Sequence, residues 1–151
     1  MQEMEYKLFR SKFLEAAGID LACYKENQVQ RRLNTALARS GHANLRDYWR
    51  SIEEDPVQLS GLVDFLTINV SNFFRNSEKF DELQMNILPE LLATRKPLKI
   101  WSAGCSNGPE PYSIAIILAQ LTPGMRHRII GTDINKSMLE AAREAVYSDD
   151  D

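Results

Sequence analysis

The segment over 100–112 carries the residues best suited to bind a ligand. A short apolar run, 98–101, leads into small residues and glycines, and a helical run over 112–121 follows at once. A strand, a glycine-bearing turn and a helix in this order present backbone N–H groups to nucleotide-like ligands in α/β proteins. The next apolar run, 129–132, ends in Asp133, whose carboxylate is placed to accept hydrogen bonds from ribose hydroxyls. Together the segments predict a site for an adenosine-containing cofactor.

The turn itself is unlike a phosphate-binding turn. Gly104 and Gly108 lie four residues apart and do not form the G-x-G-x-x-G pattern of pyrophosphate sites. Pro109 and Pro111 remove two N–H donors from the helix start, and Glu110 adds a negative charge. S-adenosylmethionine suits such a turn, because it has no phosphate and carries a sulfonium and an ammonium group. An ordinary strand-to-helix turn without a ligand is the alternative, and the prolines disfavour a dinucleotide-binding oxidoreductase.

The composition is that of an ordinary globular protein. The chain has 151 residues, of which 44% are hydrophobic and 26% charged, and its net charge of −3 gives no signature of nucleic-acid binding. No apolar run approaches the ~18–20 residues of a membrane helix, and no secretory signal is visible. We therefore predict a cytoplasmic protein that does not insert into a membrane. Cys23 and Cys105 lack metal-ligand spacing, so we expect free thiols and no metal, and nothing at helical spacing activates Cys105 as a nucleophile.

The first 70 residues have the pattern of helices only. One helix ends at Gly18, two more span 24–40 and 44–53, and a fourth opens at the Asp55-Pro56 pair. Four short helices can pack as a small bundle with a modest core. The apolar residues at helical spacing are Tyr6, Phe9, Phe13, Leu14, Val29, Leu33, Ala36, Leu37, Leu45, Tyr48, Trp49, Ile52, Leu59, Leu62, Val63 and Leu66.

The polar side of the second helix is dominated by cations. This side carries four cations, Lys25, Arg31, Arg32 and Arg39, and only one acidic residue, Glu26. A solvated helix surface is one interpretation. The other is a docking surface for an acidic helix or an anionic ligand, in which arginine supplies planar, bidentate donors.

From Ser77 the pattern alternates between helix and strand. A long amphipathic helix begins at Asn76 or Ser77 and carries Phe80, Leu83, Ile87, Leu88 and Leu91. Strands over 98–103 and 128–132 then alternate with helices over 112–121 and from Asn135, which predicts a parallel sheet. The predicted fold class is therefore α followed by α/β, with a helical domain over 1–70, a linker over 71–76 and the start of a Rossmann-like domain over 77–151.

Two strands are too few for a stable parallel sheet of this class, because its faces and its neighbouring strands must be covered. We therefore expect either a truncated fragment of a larger protein or a chain completed by a partner. An incomplete sheet leaves apolar edges exposed, so self-association or strand exchange is one solution.

Three segments in a fixed order carry a resemblance to a known family. They are Asn69-Val-Ser-Asn-Phe-Phe-Arg75, Ile100-Trp-Ser-Ala-Gly-Cys-Ser-Asn-Gly-Pro-Glu-Pro-Tyr-Ser113 and Gly131-Thr-Asp-Ile134. The set closely resembles the chemotaxis-receptor methyltransferases of the CheR family, and the helical N-terminal part looks like that family's first domain. The resemblance covers essentially all of the chain.

The resemblance implies transfer of a methyl group from S-adenosylmethionine to glutamate side chains of chemotaxis receptors, with S-adenosylhomocysteine as product. It implies cofactor contacts from Asn69, Ser71, Arg75, Glu110 and Asp133. Gly104, in the glycine-bearing turn after the first strand, belongs to the same cofactor site. In these roles the arginine grips the methionyl carboxylate, Glu110 faces the ammonium group and Asp133 the ribose. Each role has an alternative without a ligand. Asn69 and Ser71 could cap or bend the linker, and Arg75 could be a surface cation.

No catalytic residue is identifiable, and the implied chemistry needs none. A glutamate side chain has a pKa of about 4.3, so at neutral pH it is already the ionised nucleophile. Catalysis would come mainly from holding the carboxylate, the methyl carbon and the sulfur in line. The scarcity of histidine is therefore no objection, and His127 is predicted to lie in a surface loop.

The resemblance also implies that the helical domain binds the receptor helices. We expect Arg31, Arg32 and Arg39 to dock the acidic receptor helices, so that reversal of Arg31 and Arg32 to glutamate weakens methylation and leaves cofactor affinity unchanged. The alternative is a binding module that docks a receptor or a regulator without chemistry.

The chain departs from the family pattern at three points. Pro109 stands where the family usually has a first glutamate, Ser71 often appears as threonine in the family, and the later cofactor and substrate contacts lie beyond residue 151.

Overall fold

The computed structural model describes residues 3–67, 71–94 and 96–148. The chain divides into two compact units, Met1–Ile68 and Asn69–Asp151. The predicted sequence of an all-helical unit and a helix-and-strand unit with a parallel sheet is confirmed. Among the described residues, no helix combines the length and the apolar character needed to cross a membrane.

The first unit consists of short helices with local start and stop signals. Helix α1 spans Glu3–Ala17, a 3₁₀ turn spans Leu21–Cys23, and α2, α3 and α4 span Glu26–Ser40, Leu45–Ile52 and Pro56–Leu66. Asn44 caps α3 by accepting from the Asp47 N–H, and Asp55 caps α4 by accepting from two backbone N–H groups. Gly41 ends α2 with a left-handed φ of 74°.

An aromatic cluster forms the centre of the first unit. Trp49 meets Phe9 edge-on at a ring distance of 5.4 Å and Phe13 at 6.5 Å. Its Nε1 donates to Glu53 Oε2 at 2.5 Å, which satisfies the only polar atom of the buried indole. The other buried apolar residues are Tyr6, Ile19, Leu21, Val29, Leu33, Ala36, Leu45, Tyr48, Ile52, Leu62 and Leu66.

The second unit alternates helices with two strands. Helix α5 spans Ser77–Glu82, a π-helical turn spans Leu83–Ile87, and α6 spans Leu88–Leu92. Strand β1 (Lys99–Ala103), α7 (Pro109–Leu121), β2 (Arg128–Thr132) and α8 (Lys136–Glu144) follow. The strands pair in parallel, from Lys99 opposite Arg128 to Ala103 opposite Thr132. Trp101 and Ile130 on this sheet are 70% and 43% exposed, and the predicted self-association stays a prediction.

The π-helical turn corrects one prediction about which side chains face inward. The Leu88 N–H donates to the Leu83 carbonyl, five residues back, so one extra residue enters the turn. The inward positions are therefore Phe80, Leu83, Leu88 and Leu92, whereas Ile87 and Leu91 are 44% and 51% exposed. An ordinary helix would have aligned positions 83, 87 and 91. A proline at 89, which cannot donate its own backbone bond, accompanies this irregular turn.

His127 lies in the loop before β2, as predicted, but its side chain is half-buried and has a structural role. Its Nδ1 accepts from the Leu98 N–H at 3.0 Å, so the ring proton lies on Nε2 and is donated to Thr122 Oγ1 at 2.8 Å. Thr122 in turn donates to the Leu118 carbonyl near the end of α7. The ring thus ties the start of β1 to the end of α7.

Candidate cofactor site

The carboxyl ends of the two strands meet at one edge of the sheet because the strands are parallel and in register. The Gly104 and Cys105 N–H groups both donate to the Thr132 carbonyl, at 2.7 and 2.9 Å. The turn that leaves β1 is therefore held against the last residue of β2. In open α/β sheets, ligands bind in the crevice at this edge.

The Asp133 carboxylate joins the two turns that follow the strands. Its Oδ2 accepts from the Ser106 N–H at 2.7 Å, and its Oδ1 accepts from the Asn135 N–H at 2.9 Å. Ser106 has a left-handed φ of 50°, so this contact also holds a costly backbone conformation. An ionised carboxylate offers about four lone-pair positions, which leaves it able to accept from ribose hydroxyls as well.

A second carboxylate, that of Glu110, is fixed at the start of α7, the helix that follows the turn after β1. Ser102, which is 2% exposed near the end of β1, donates its hydroxyl to Glu110 Oε1 at 2.6 Å. Glu110 lies in the first turn of α7, between Pro109 and Pro111. The bond holds an exposed negative charge beside the end of β1.

Gly104, the first residue after β1, provides an open stretch of backbone in the turn that precedes both carboxylates in the chain. Its φ is +78°, a conformation that favours glycine, and a Cβ built there would meet nothing within 4 Å. An open backbone, two carboxylates and a helix start with prolines in place of N–H donors suit a ligand with cationic groups and no phosphate. The residues present therefore fit S-adenosylmethionine.

The segment before α5 is attached to α7 by its backbone. Phe74 N donates to Ser113 Oγ at 3.0 Å, and the neighbouring Arg75 side chain is exposed. Ser71 is half-buried, and Asn69 lies outside the described residues. Residues 71–76 thus belong to the second unit, and the cofactor contacts predicted for Ser71 and Arg75 stay predictions.

Aromatic rings pack around the same segment. Phe73 meets Tyr147 edge-on at 4.9 Å, and Phe74 meets Phe80 at 5.5 Å. The Tyr147 hydroxyl donates to the Asn107 carbonyl in the cofactor turn at 2.7 Å. These contacts show both phenylalanines packed on protein side chains.

Several residues that support the site were not singled out from the sequence. Three of them act through contacts between residues 27 to 40 apart in the chain, for which one sequence offers no signal: Ser106 with Asp133, Ser113 with Phe74 and Tyr147 with Asn107. The other two contacts are closer in sequence, because Asn135 lies two residues after Asp133 and Ser102 lies eight residues before Glu110. The residues are Ser102, Ser106, Ser113, Asn135 and Tyr147.

The cysteine in the turn is held in its unreactive form. Burial raises the pKa of the Cys105 thiol, and the negative charges of Asp133 and Glu110 raise it further. The thiolate is the reactive species, so a raised pKa disfavours a nucleophilic role at neutral pH. Cys23, the other free cysteine, is exposed.

We therefore expect iodoacetamide to alkylate Cys23 at least about tenfold faster than Cys105 in the native protein at neutral pH. Mass spectrometry of peptides after timed quenching measures both rates. Unfolding in urea supplies the control, because the two thiols should then react at similar rates. Equally fast labelling of both in the native protein would contradict the buried, protonated thiol.

The predicted docking arginines differ in their surroundings. Arg32 Nη1 donates to the Phe65 and Thr67 carbonyls at the end of α4, and its guanidinium lies 5.7 Å from the Phe65 ring centre. Arg39 lies over the same ring at 5.3 Å. Arg31 is exposed and lines a shallow depression on α2. Arg32 therefore has a structural function within the first unit, and docking through the three arginines stays a prediction.

Comparison with known proteins identifies the family. Residues 4–67 match the family described as CheR methyltransferase, all-alpha domain, and residues 69–151 match CheR methyltransferase, SAM binding domain. The chain belongs to the CheR methyltransferase family. This confirms the predicted family, the predicted fold class and S-adenosylmethionine as the family's methyl donor.

Named relatives agree with this assignment. The chain is 35% identical to a chemotaxis protein methyltransferase of Listeria monocytogenes over 141 residues, which cover 93% of this chain and 54% of the relative. It is 37% identical to the protein of that name in Vibrio parahaemolyticus, over 97% of this chain and 56% of the relative. It is 36% identical to the protein of that name in Borreliella burgdorferi, over 88% of this chain and 51% of the relative. The chain thus spans about half the length of the curated relatives it matches.

Proposed function

We propose that this chain binds S-adenosylmethionine at the carboxyl ends of β1 and β2 and serves in methylation of glutamate side chains on chemotaxis receptors. The observation that carries the proposal is the pair of fixed carboxylates, Glu110 in the first turn of α7 and Asp133 after β2, together with the open backbone at Gly104 directly after β1. The family match and the names of the relatives support the chemistry. We place the reaction in the cytoplasm, in keeping with two free cysteines.

In this proposal each residue of the site binds or orients one part of the methyl donor. Asp133 accepts from the ribose hydroxyls while its backbone contacts keep both turns in place. Glu110 neutralises the ammonium group, and Arg75 pairs with the carboxylate at the same end. The methyl donor supplies an activated methyl group on sulfur.

The reaction needs no proton transfer. The ionised receptor carboxylate forms a bond from oxygen to the methyl carbon as the bond from that carbon to sulfur breaks. The electron pair of the broken bond stays on sulfur, and the products are a methyl ester and S-adenosylhomocysteine. The protein contributes alignment of the reacting atoms. The buried, protonated Cys105 has no part in it.

A methyl-transfer assay with the full-length protein tests the proposal. Methyl-labelled S-adenosylmethionine and receptor-containing membranes should yield label on the receptor that base releases as methanol, which is diagnostic of a carboxyl ester. Mass spectrometry should place the ester on glutamate side chains. Label that resists base, or binding of S-adenosylhomocysteine without any transfer, would favour a binding module without chemistry.

For the first unit we propose that the α2 surface around Arg31 docks the acidic receptor helices. Arg31 is exposed in the depression lined by Asn27, Gln30, Asn34, Thr35, Ala38 and Arg39. Arg39 contributes a guanidinium at its edge. Arg32 contributes to the docking surface indirectly, because its Nη1 donates to the Phe65 and Thr67 carbonyls and so holds the end of α4 against α2.

Arg31→Glu should therefore reduce receptor methylation at least about tenfold at low salt, because a repulsive contact replaces an attractive one. The affinity for S-adenosylhomocysteine, measured by calorimetry, should stay unchanged. Arg46→Glu, at an exposed position on α3 of the same unit, is the matched control and should methylate normally. Equal rates for Arg31→Glu and the control would remove this docking surface.

A further inference from the structure

We propose that Ser113 is a positioning residue that places Arg75 for the carboxylate of the methyl donor. This inference rests on the proposed function. Ser113 is 0% exposed, and its hydroxyl donates to the Pro109 carbonyl at 2.7 Å. That bond fixes the direction of the hydroxyl, so its oxygen is oriented to accept from the Phe74 N–H at 3.0 Å. Phe74 directly precedes Arg75 in the chain.

Helix α7 then positions both charges that the amino-acid end of the ligand requires. Glu110 and Ser113 are three residues apart and so lie on one side of the helix. The first holds its carboxylate against Ser102, and the second holds the backbone next to Arg75. One rigid helix start thus sets the spacing between the negative group for the ammonium and the positive group for the carboxylate.

The backbone around Arg75 needs such an anchor. Phe74 and Asn76, the residues on either side, have φ values of 51° and 59°, in the left-handed region that residues with side chains rarely adopt. Such conformations persist where surrounding contacts hold them, and they cluster at ligand-binding sites. The Phe74 ring against Phe80 holds the side chain, whereas the Ser113 hydroxyl is the partner of the Phe74 backbone N–H.

Binding of two ligands to the full-length protein distinguishes a role of Ser113 in positioning Arg75 from a role in the general stability of the site. S-adenosylhomocysteine carries the carboxylate, and 5′-methylthioadenosine has the adenosine and the thioether without the amino-acid end. Ser113→Ala should weaken S-adenosylhomocysteine binding about tenfold and leave 5′-methylthioadenosine binding unchanged. In an Arg75→Ala background the same substitution should have no further effect on either ligand.

Two further variants control for damage to the helix. Ser113→Cys keeps most of the buried volume but offers a weak acceptor, so it should show the same selective loss if Ser113→Ala does not fold. Thr122→Ala removes a hydroxyl that likewise donates to the carbonyl four residues back, at the other end of α7. Its affinity for both ligands should match that of the unaltered protein.

Three results would overturn the role of Ser113: unchanged S-adenosylhomocysteine affinity in Ser113→Ala, equal losses for both ligands, or a full loss that persists in the Arg75→Ala background. Each of these leaves the proposed function standing if the unaltered protein binds S-adenosylhomocysteine. Absence of that binding in the unaltered protein would instead remove the proposed function, and this inference with it.

Discussion

Gly108→Ala should lower the free energy of unfolding of the second unit by about 2–4 kcal/mol, as the sum of backbone strain and overpacking. Gly108 has a φ of +104°, and a Cβ there would lie 2.6 Å from the Tyr147 hydroxyl and 3.1 Å from both Ala142 Cβ and Tyr112 Cε2. Relief of these contacts would push Tyr147 away from the Asn107 carbonyl and open the cofactor turn. Urea unfolding measures the loss, and S-adenosylhomocysteine affinity should fall with it.

Gly124→Ala is the matched control for backbone strain. Gly124 has a similar left-handed φ of +83°, but a Cβ there would meet nothing within 4 Å. Its substitution should therefore lower the free energy of unfolding by about 1 kcal/mol and leave ligand affinity unchanged. Equal destabilisation by the two alanines would show that the packing of Tyr147 on Gly108 is unimportant.

Asp133→Ala should be the most damaging single change to the candidate site. It removes the acceptor of two backbone N–H groups, from Ser106 and Asn135, and Ser106 is only 7% exposed. Hydrogen bonds to a charged group contribute about 1.5–3 kcal/mol each, so we expect the free energy of unfolding to fall by about 3 kcal/mol or more. S-adenosylhomocysteine affinity should fall at least about 100-fold, because the turn and the ribose acceptor are lost together.

Asp133→Asn and Asp81→Ala complete this experiment. The asparagine amide can accept from one of the two N–H groups and directs an NH₂ group at the other, so it should restore part of the stability and little of the affinity. Asp81 is an exposed carboxylate on α5 of the same unit, and its removal should change neither quantity. If Asp133→Ala bound S-adenosylhomocysteine as tightly as Asp81→Ala does, Asp133 would have no place in the site.

The sequence identified the backbone features of the site because local patterns encode them. The strand over 128–132 and the positions of Gly104 and Asp133 at the strand ends agree with the structure. Helix α7 begins at Pro109, three residues before the predicted start, because a proline is tolerated where the helix has no intrahelical N–H partner to lose. Hydrophobic periodicity marks the interior of a helix better than its first turn.

Contacts between residues that are distant in the chain cannot be predicted from one sequence. The sequence predicts for Arg32 the same docking role as for the other arginines of α2, yet its guanidinium donates to the Phe65 carbonyl at the end of α4, 33 residues away. The bond from Phe74 N to Ser113 Oγ spans 39 residues, so the prediction of a linker over 71–76 did not anticipate it. The π-helical turn likewise depends on one bond between Leu88 and Leu83 that a period of 3.6 residues does not predict.

The structure of the full-length protein with bound S-adenosylhomocysteine is the most direct measurement of where the methyl donor lies. We expect the ribose hydroxyls within about 2.7–3.2 Å of the Asp133 carboxylate, the ammonium group beside Glu110 and the amino-acid carboxylate on the Arg75 guanidinium. A ligand seated elsewhere, or one that leaves these three side chains without contact, would contradict the site proposed at the ends of β1 and β2.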